Sequence, residues 1–363
     1  MIPLRKGNKG EWSELYTFLK ILSEGELYAA DENLNKLYNI YYPIIKVLRV
    51  EQGREIEYHY SDQMIMIEDG ANNHSIKMPI GEFKEKSLQL LNKIKKTKGS
   101  SFTFEEIEEF LNSIKYESLK AGSKNKSDIR IVVHDFNTGM KPTLGFSIKS
   151  RLGRASTLFN ASKSTNLIFK IIGNVAEEDI YEINNINTRT NKIRNRLKKI
   201  EEKGFLLQYD RISSEIFDLN LQVIDSRMPE ILSELVFYYY SGYGSNVREL
   251  IGLIKEKNPL NFNSSFGHDF YEYKFKAFLR DVALGMTPSK KWDGYFDATG
   301  GYIVVKEDGE IVSYHIYNQN EFQQYLLNNT KFDSPSSTRH DYGTVYEVDG
   351  DYFFNLNFQI RFN

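Results

Sequence analysis

A chain of 363 residues is long enough for two or three packed regions, and its 40% hydrophobic content is ordinary for a globular protein. The absence of cysteine excludes disulfides, thiolate metal sites and cysteine nucleophiles; with no run of about 18 apolar residues and a polar, basic stretch from Met1 to Lys9, it points to a soluble protein of a reducing cytoplasm, not a membrane or secreted one. Forty-seven basic and 49 acidic residues leave a formal charge of −2, so any surface for nucleic acid must come from local segregation of charge.

In chain order, Leu15, Phe18, Leu19 and Leu22 take the three-and-four spacing of an amphipathic helix over Gly10–Leu22. Tyr42–Val50, Glu55–Tyr60 and Met64–Ile67 read as strands joined by tight turns, with Gln52-Gly53 in the first, and residues 1–80 as an N-terminal mixed subdomain. Helices follow over Ile80–Lys95 and Phe104–Ile114, the second opening on Thr103 three residues before Glu106 as in a capping box. A polar loop, Ala121–Lys126, ends the helical stretch. Asp128–His134 and Leu144–Lys149 then form a hairpin about the turn residues Asn137, Thr138 and Gly139.

Beyond the hairpin the pattern predicts a short helix over Ala155–Ser162 and a buried strand over Asn166–Ile172. Helices are expected around Thr188–Lys203, over Pro229–Tyr239 with proline in the first turn, over Val247–Lys257 and over Phe270–Leu284. Gly301–Tyr317 reads as two alternating strands around an Asp-Gly turn, and Asn355–Phe362 as a closing strand. The fold class is therefore mixed α/β, with residues 81–180 as a central core and 181–363 as a helical and β part, to which the resemblance described below would assign DNA recognition and dimerisation.

Charge is segregated in two places. Between Asp135 and Glu177 there is no carboxylate, while Lys141, Lys149, Arg151, Arg154, Lys163 and Lys170 fall inside the window. Between Glu182 and Glu201 the same holds around Arg189, Lys192, Arg194, Arg196, Lys198 and Lys199; this second window reads equally well as a solvated helix face. In the hairpin, pairing about a turn centred near Gly139 sets Asp128 opposite Ser150 and within reach of Lys149, an acid beside a lysine. Metal-assisted phosphodiester hydrolysis uses such a pair, although an Asp and a Lys about 20 residues apart are by spacing alone a weak signal.

The string Lys126-Ser-Asp-Ile-Arg-Ile-Val-Val-His-Asp135, with Leu144-Gly-Phe-Ser-Ile-Lys-Ser150, Leu152-Gly153 and Ser156-Thr-Leu-Phe-Asn-Ala-Ser162, resembles the HpaII family of restriction endonucleases. Similar stretches recur nearly end to end: Gly10-Glu-Trp-Ser-Glu-Leu15, Tyr28-Ala-Ala-Asp-Glu-Asn-Leu34, Ala283-Leu-Gly-Met-Thr-Pro288, Trp292-Asp-Gly294, Asp297-Ala-Thr-Gly-Gly301 and Ser334–Gly343. The resemblance implies a PD-(D/E)XK nuclease core, a mixed sheet flanked by helices. It also implies magnesium-dependent cutting of double-stranded DNA at CCGG to leave 5′-phosphates, and a cognate DNA methyltransferase as functional partner.

Residue by residue, the resemblance assigns Asp128 to the metal-binding aspartate, with Ser127 where the motif has proline, and Lys149 to the catalytic lysine. Ser147 stands where the motif calls for Asp or Glu, so a second carboxylate must come from elsewhere. The acid-free window excludes the following helix, and Glu106, at the edge of the stripe Phe104, Ile107, Leu111 and Ile114 on the preceding one, is the expected donor. Glu109 and Glu117 are weaker choices, and Glu14, in the Gly10-x-x-x-Glu14 spacing of the first helix, ranks below them. Asp128, Glu106 and Ile148 are thus the expected metal-holding positions. Asp135 is assigned to the turn, the cluster Asp293, Asp297 and Lys306 to structure, and His134 and His315 to satisfied packing.

The candidate DNA contacts are Arg151, Arg154, Asn160, Ser162, Lys163, Arg189, Arg194, Arg339 and His340, a pool from which guanine O6 and N7 or backbone phosphates are met. A palindrome is matched most simply by a two-fold dimer. Two other readings stay open on sequence: a structure-recognising or repair nuclease of the same fold, and a non-catalytic DNA-binding protein whose nuclease core has decayed at Ser147.

Overall fold

The computed structural model describes residues 4–70, 72–119, 127–136 and 138–363; Lys126, the loop expected over Ala121–Lys126, and Asn137 of the expected turn lie outside the described residues. The chain divides into two compact units, Met1–Ser156 with Phe296–Tyr325, and Thr157–Tyr295 with Leu326–Asn363. The expected boundaries at 80 and 180 do not coincide with these units, because strands from both sides of residue 80 share one sheet.

The first unit opens with α1 (Lys9–Glu24), whose start is fixed by a capping box: Asn8 accepts from the N–H groups of Gly10 and Glu11, and Glu11 reaches back to the Asn8 N–H. Strands β1 (Glu26–Ala30), β2 (Lys36–Glu51), β3 (Arg54–Ser61), β4 (Met64–Asp69) and β5 (Asn72–Pro79) form an antiparallel run. Helices α2 (Ile80–Lys96) and α3 (Glu105–Ser113) follow; Phe104, not Thr103, occupies the N-cap of α3 and no side chain caps it, so the expected capping box does not form. The hairpin β6 (Ile129–Val133) and β7 (Thr143–Ser150) joins β2 through β6.

In the second unit the expected helix over 155–162 is replaced by β8 (Thr157–Phe159), which suits the β-branched and aromatic residues there: Leu158 and Phe159 are buried, and the Phe159 ring stacks on Phe217 and Phe358. Then come β9 (Leu167–Ile172), α4 (Glu177–Asn184), α5 (Lys192–Glu202), β10 (Leu206–Ile212), α6 (Glu215–Ile224), α7 (Met228–Ser241), α8 (Val247–Lys257) and α9 (Phe270–Leu284). Pro229 stands in the first turn of α7 as expected.

The chain re-enters the first unit with β11 (Gly301–Val305) and β12 (Ile311–His315), which lead to α10 (Gln319–Asn328). β11 lies parallel to β7, with Ile303 beside Ile148 and Val304 beside Lys149, and completes a nine-stranded mixed sheet in the order β1-β12-β11-β7-β6-β2-β3-β4-β5. Every residue of β11 and β12 is buried, so the alternation expected there is absent: a strand deep in a sheet covered on both faces reads as a continuous apolar run. The core of this unit packs α1, α2 and α3 on the sheet through Trp12, Leu15, Phe18, Leu22, Phe83, Leu90, Leu111 and Phe146.

The second unit ends with β13 (Thr330–Asp333), the short α11 (Ser337–His340), β14 (Val345–Val348), β15 (Asp351–Leu356) and β16 (Gln359–Phe362). The single closing strand expected over Asn355–Phe362 is split, because buried Asn357 turns its amide inward to donate to the Ser162 carbonyl oxygen and accept from the Thr165 hydroxyl. β15 then joins β10-β9-β15-β14 and β16 joins β13-β16-β8.

Candidate active site

The hairpin register decides the geometry. Ile129 pairs with Phe146 and Val132 with Thr143, so the midpoint of the loop falls before Gly139 and Asp128 faces Ser147, not Ser150. The Asp128 N–H donates to the Phe146 carbonyl oxygen at 2.8 Å, which extends the ladder by one step. Its carboxylate Oδ2 accepts from the Ile148 N–H at 2.6 Å and from the Ser147 hydroxyl at 3.1 Å. Among the described residues nothing donates to Oδ1, which is left for the cleft.

That cleft, about 980 Å³, is lined by Gly10, Glu14, Thr97, Lys98, Asp128, Ile148, Lys149 and Arg154 among others. Helix α1 is tied to the end of β7 there: the Ser150 hydroxyl donates to the Ser13 hydroxyl at 2.9 Å, and Lys9 Nζ to the Leu152 carbonyl oxygen at 3.3 Å. Glu14 is carried in beside Asp128 and Lys149. Among the described residues its carboxylate has no hydrogen bond and no ion pair, and burial, reinforced by the negative charge of Asp128, pushes its pKa to about 8.

Burial also raises the Asp128 carboxyl against the pull of Lys149 and the two hydrogen bonds. It lowers the Lys149 ammonium, which Asp128 and Glu14 partly hold up. Lys149 Nζ lies over the Tyr302 ring of β11, 5.1 Å from its centroid, so an aromatic face backs the ammonium.

The HpaII restriction endonuclease family model matches residues 8–362. The type II restriction enzyme HpaII of Haemophilus parainfluenzae is 47% identical over 365 residues, covering 100% of both chains. The chain belongs to the HpaII restriction endonuclease family. No solved structure matches it. As a member of this family the protein is a type II site-specific deoxyribonuclease that acts on DNA, and type II restriction enzymes generally need a divalent metal ion.

The donor set fits such an ion. Two carboxylates whose pKa values burial raises, that of Glu14 raised further by Asp128 and without a hydrogen-bond or ion-pair partner among the described residues, face one cleft together with a lysine. Within the family motif, Ile148 has an apolar side chain and gives its N–H to Asp128, so only its carbonyl oxygen is available to a ligand. Ser147 is buried and its hydroxyl is engaged with Asp128.

Glu106 is placed elsewhere. It is exposed on α3 and pairs with Lys93 of α2 at 2.5 Å, which lowers its pKa, and it does not line the cleft. The second acid in the cleft is Glu14, ranked lowest on sequence. Its signal was present: it interrupts Trp12, Ser13, Leu15, Tyr16 and Thr17, all buried, and a carboxylate inside such a run needs a purpose.

Of the expected DNA contacts, only Arg151 and Arg154 fall in the first unit. Both are exposed; Arg154 lines the cleft, while Arg151 lies 4.0 Å from Glu307. In the second unit Asn160 is exposed, the Ser162 hydroxyl is buried without a partner among the described residues, and Lys163 pairs with Asp341. Asn160, Ser162 and Lys163 stand in no α-helix; Ser162 begins a single 3-10 turn. Arg189 and Arg194 line a pocket with Ser334 and Ser337, Arg339 is exposed on α11, and half-buried His340 is lowered in pKa first by burial.

Asp135 is a turn residue, accepting from the Thr138 hydroxyl at 2.7 Å. Lys306 pairs with Glu310 instead of joining Asp293 and Asp297. His134 packs on Phe136. His315 is only half satisfied: its Nδ1 accepts from the Tyr317 N–H at 3.1 Å, but its buried Nε2 has no partner among the described residues.

Proposed function

We propose that the protein cuts double-stranded DNA at CCGG, using magnesium held by Asp128, Glu14 and the Ile148 carbonyl oxygen, in a core of PD-(D/E)XK type. The observation that carries this reading is the orphaned Glu14 carboxylate in the cleft of Asp128 and Lys149. The strand arrangement supports the core assignment: the hairpin β6–β7 bears Asp128 and Lys149, and β11 runs parallel beside it.

Magnesium bound there would neutralise charge on the phosphoryl oxygens and lower the pKa of the attacking water. Lys149, backed by Tyr302, donates a hydrogen bond that turns a water lone pair towards phosphorus. Water oxygen bonds to phosphorus and gives up a proton to solvent as the bond from phosphorus to the 3′ oxygen breaks; the 3′ oxygen takes a proton from a second solvent water, and the phosphate stays on the 5′ end. Ser147 and the Ile148 N–H hold Asp128 by its Oδ2, so Oδ1 is the oxygen that would hold the metal. Arg154 and Lys98 give the rim of the cleft positive charge for the DNA backbone.

A CCGG palindrome presents the same half-site twice, so two chains related by a two-fold axis would each cut one strand, and a cytoplasmic methyltransferase of the same specificity would protect the host's own sites. The test is to incubate the protein with unmethylated phage DNA and magnesium and to sequence the fragment ends, with EDTA and Lys149→Ala as controls. Ends within CCGG, absent in both controls, are expected. Specific retention of DNA with no cleavage would overturn the reading.

A further inference from the structure

The second basic window is not part of the cleft. It surrounds a pocket of about 660 Å³ lying wholly within the second unit, lined by Asn187, Arg189, Asn191, Lys192, Arg194 and Tyr239, with Ser334 and Pro335 closing one side. That volume is of the size that takes a small organic ligand.

The wall is braced. The Tyr239 hydroxyl is bonded to the Ser334 hydroxyl at 2.9 Å, and its ring is backed by the stacked ring of Phe332. The Tyr240 hydroxyl donates to the Asn357 carbonyl oxygen at 2.7 Å and that of Tyr342 to the Pro335 carbonyl oxygen at 2.7 Å. Buried Arg196 fixes the start of α5 by donating to the carbonyl oxygens of Asn184, Ile186 and Gly343. Gly242, at φ +91°, lets the Arg194 guanidinium lie against the backbone; a Cβ at that position would overlap it.

The cations of this pocket differ from those farther along the same helix. Lys198 and Lys199 pair with Glu202 and Glu182, and Lys203 with Asp179 and Glu182. Among the described residues Arg189, Lys192 and Arg194 have no carboxylate within ion-pair distance, although all three line the one pocket. A solvated helix face would show no such sorting. Three unpaired cations beside a braced aromatic ring and two amides match a phosphate attached to a planar heterocycle.

We propose that this pocket binds a single nucleotide, its phosphate on Arg189, Lys192 and Arg194 and its base against Tyr239. The nucleotide is either free or one turned out of the duplex on which the enzyme acts. The inference deepens the reading of this chain as a DNA-cutting enzyme but is independent of the catalytic residues.

Two arms separate the sources. In the first, deoxycytidine and deoxyguanosine 5′-monophosphate, and inorganic phosphate, are titrated calorimetrically into the full chain. In the second, duplexes carrying pyrrolocytosine at each cytosine of CCGG, or 2-aminopurine at flanking positions, are bound in calcium without magnesium and their emission read. Wild type and the variants Arg194→Gln, at an exposed position, and Lys192→Gln, at a half-buried one, are compared, with CCGG cleavage by wild type checked in the same preparation.

Nucleotide binding that exceeds phosphate binding and is about tenfold weaker in Arg194→Gln supports the site and a free ligand. A rise in emission at one position, lost in Arg194→Gln, supports the site and a nucleotide of the DNA. Equal binding of phosphate and nucleotide, or no binding and no emission change while wild type still cuts CCGG, overturns the inference and leaves the proposed function standing. Absence of CCGG cleavage would count against that function alone.

Discussion

Glu14 is an acid that folding strands beside another acid. Its neighbours on α1 are buried, its carboxylate meets no donor among the described residues, and Asp128 adds its charge to the cost of burial, so the proton is held to about pH 8. A divalent cation removes that conflict, which leads to a prediction: Glu14→Gln abolishes magnesium-dependent cleavage while raising thermal stability in EDTA by an amount that grows as pH rises from 4.5 and levels off near 8, because over that range the unfolded wild type ionises a carboxyl that the fold keeps protonated. A melting series in EDTA from pH 6 to 9 checks the second half.

In the proposed mechanism Tyr302 is a positioning residue that acts through Lys149. Removing the ring as Tyr302→Leu forfeits about 1 kcal/mol of cation–π stabilisation and is expected to lower kcat about fivefold with KM unchanged, whereas Tyr302→Phe keeps the wild-type rate; single-turnover kinetics distinguish them.

His315 gives the fold its own pH dependence. Burial lowers its pKa from 6.5 to about 4, against the opposing pull of Asp135. Between these values the unfolded chain takes up a proton that the folded chain refuses, so stability falls as pH drops from 6.5 to 4, by about 3 kcal/mol at most. His315→Gln is expected to flatten this stretch of the curve in urea titrations at pH 4.5 and 7.

At the scale of elements, the hairpin shows what the sequence discloses and what it withholds. The strands bearing Asp128 and Lys149 are legible in β-branched runs and a turn, but their register is not: centring the loop on Gly139 moves the partner of Asp128 from Ser147 to Ser150, a shift that only the ladder from Ile129–Phe146 to Val132–Thr143 resolves. Helices α8 and α9 fall where their apolar spacing puts them, since local periodicity and caps set them. β11 is misread as alternating because its partners β7 and β12 bury both faces, a property of the sheet and not of the segment.

The stripe of α3 points to Glu106 on the helix just before the hairpin, whereas the acid beside Asp128 comes from a helix more than 100 residues earlier, a distance that local periodicity does not encode. The same long-range closure makes Gly301 critical. It has φ +98° and no room for a Cβ against the Tyr314 carbonyl oxygen, so Gly301→Ala is expected to cost about 2 kcal/mol or more and to lower activity by loosening β11 beside Lys149. Denaturant midpoints of the variant check the first effect.

Over the whole molecule, the near-neutral charge hides a division of labour. One unit holds the carboxylates and lysine of the proposed phosphodiester-cutting centre, and the other concentrates cations without an ion pair among the described residues around a pocket of its own. No helix of the described residues is long and apolar enough to cross a membrane. The family assignment accounts for the end-to-end sequence likeness, and the unit boundaries explain why it does not divide at residue 80: the first 80 residues supply both α1 and half of the sheet that carries the active site.

The most direct test is a magnesium titration of CCGG cleavage by wild type, Glu14→Gln and Glu106→Gln under single-turnover conditions. The account predicts that Glu106→Gln keeps the wild-type rate and magnesium midpoint while Glu14→Gln loses activity by a factor of about 1,000 or more, as expected for loss of a carboxylate that holds the ion. An inactive Glu106→Gln beside an active Glu14→Gln would contradict it.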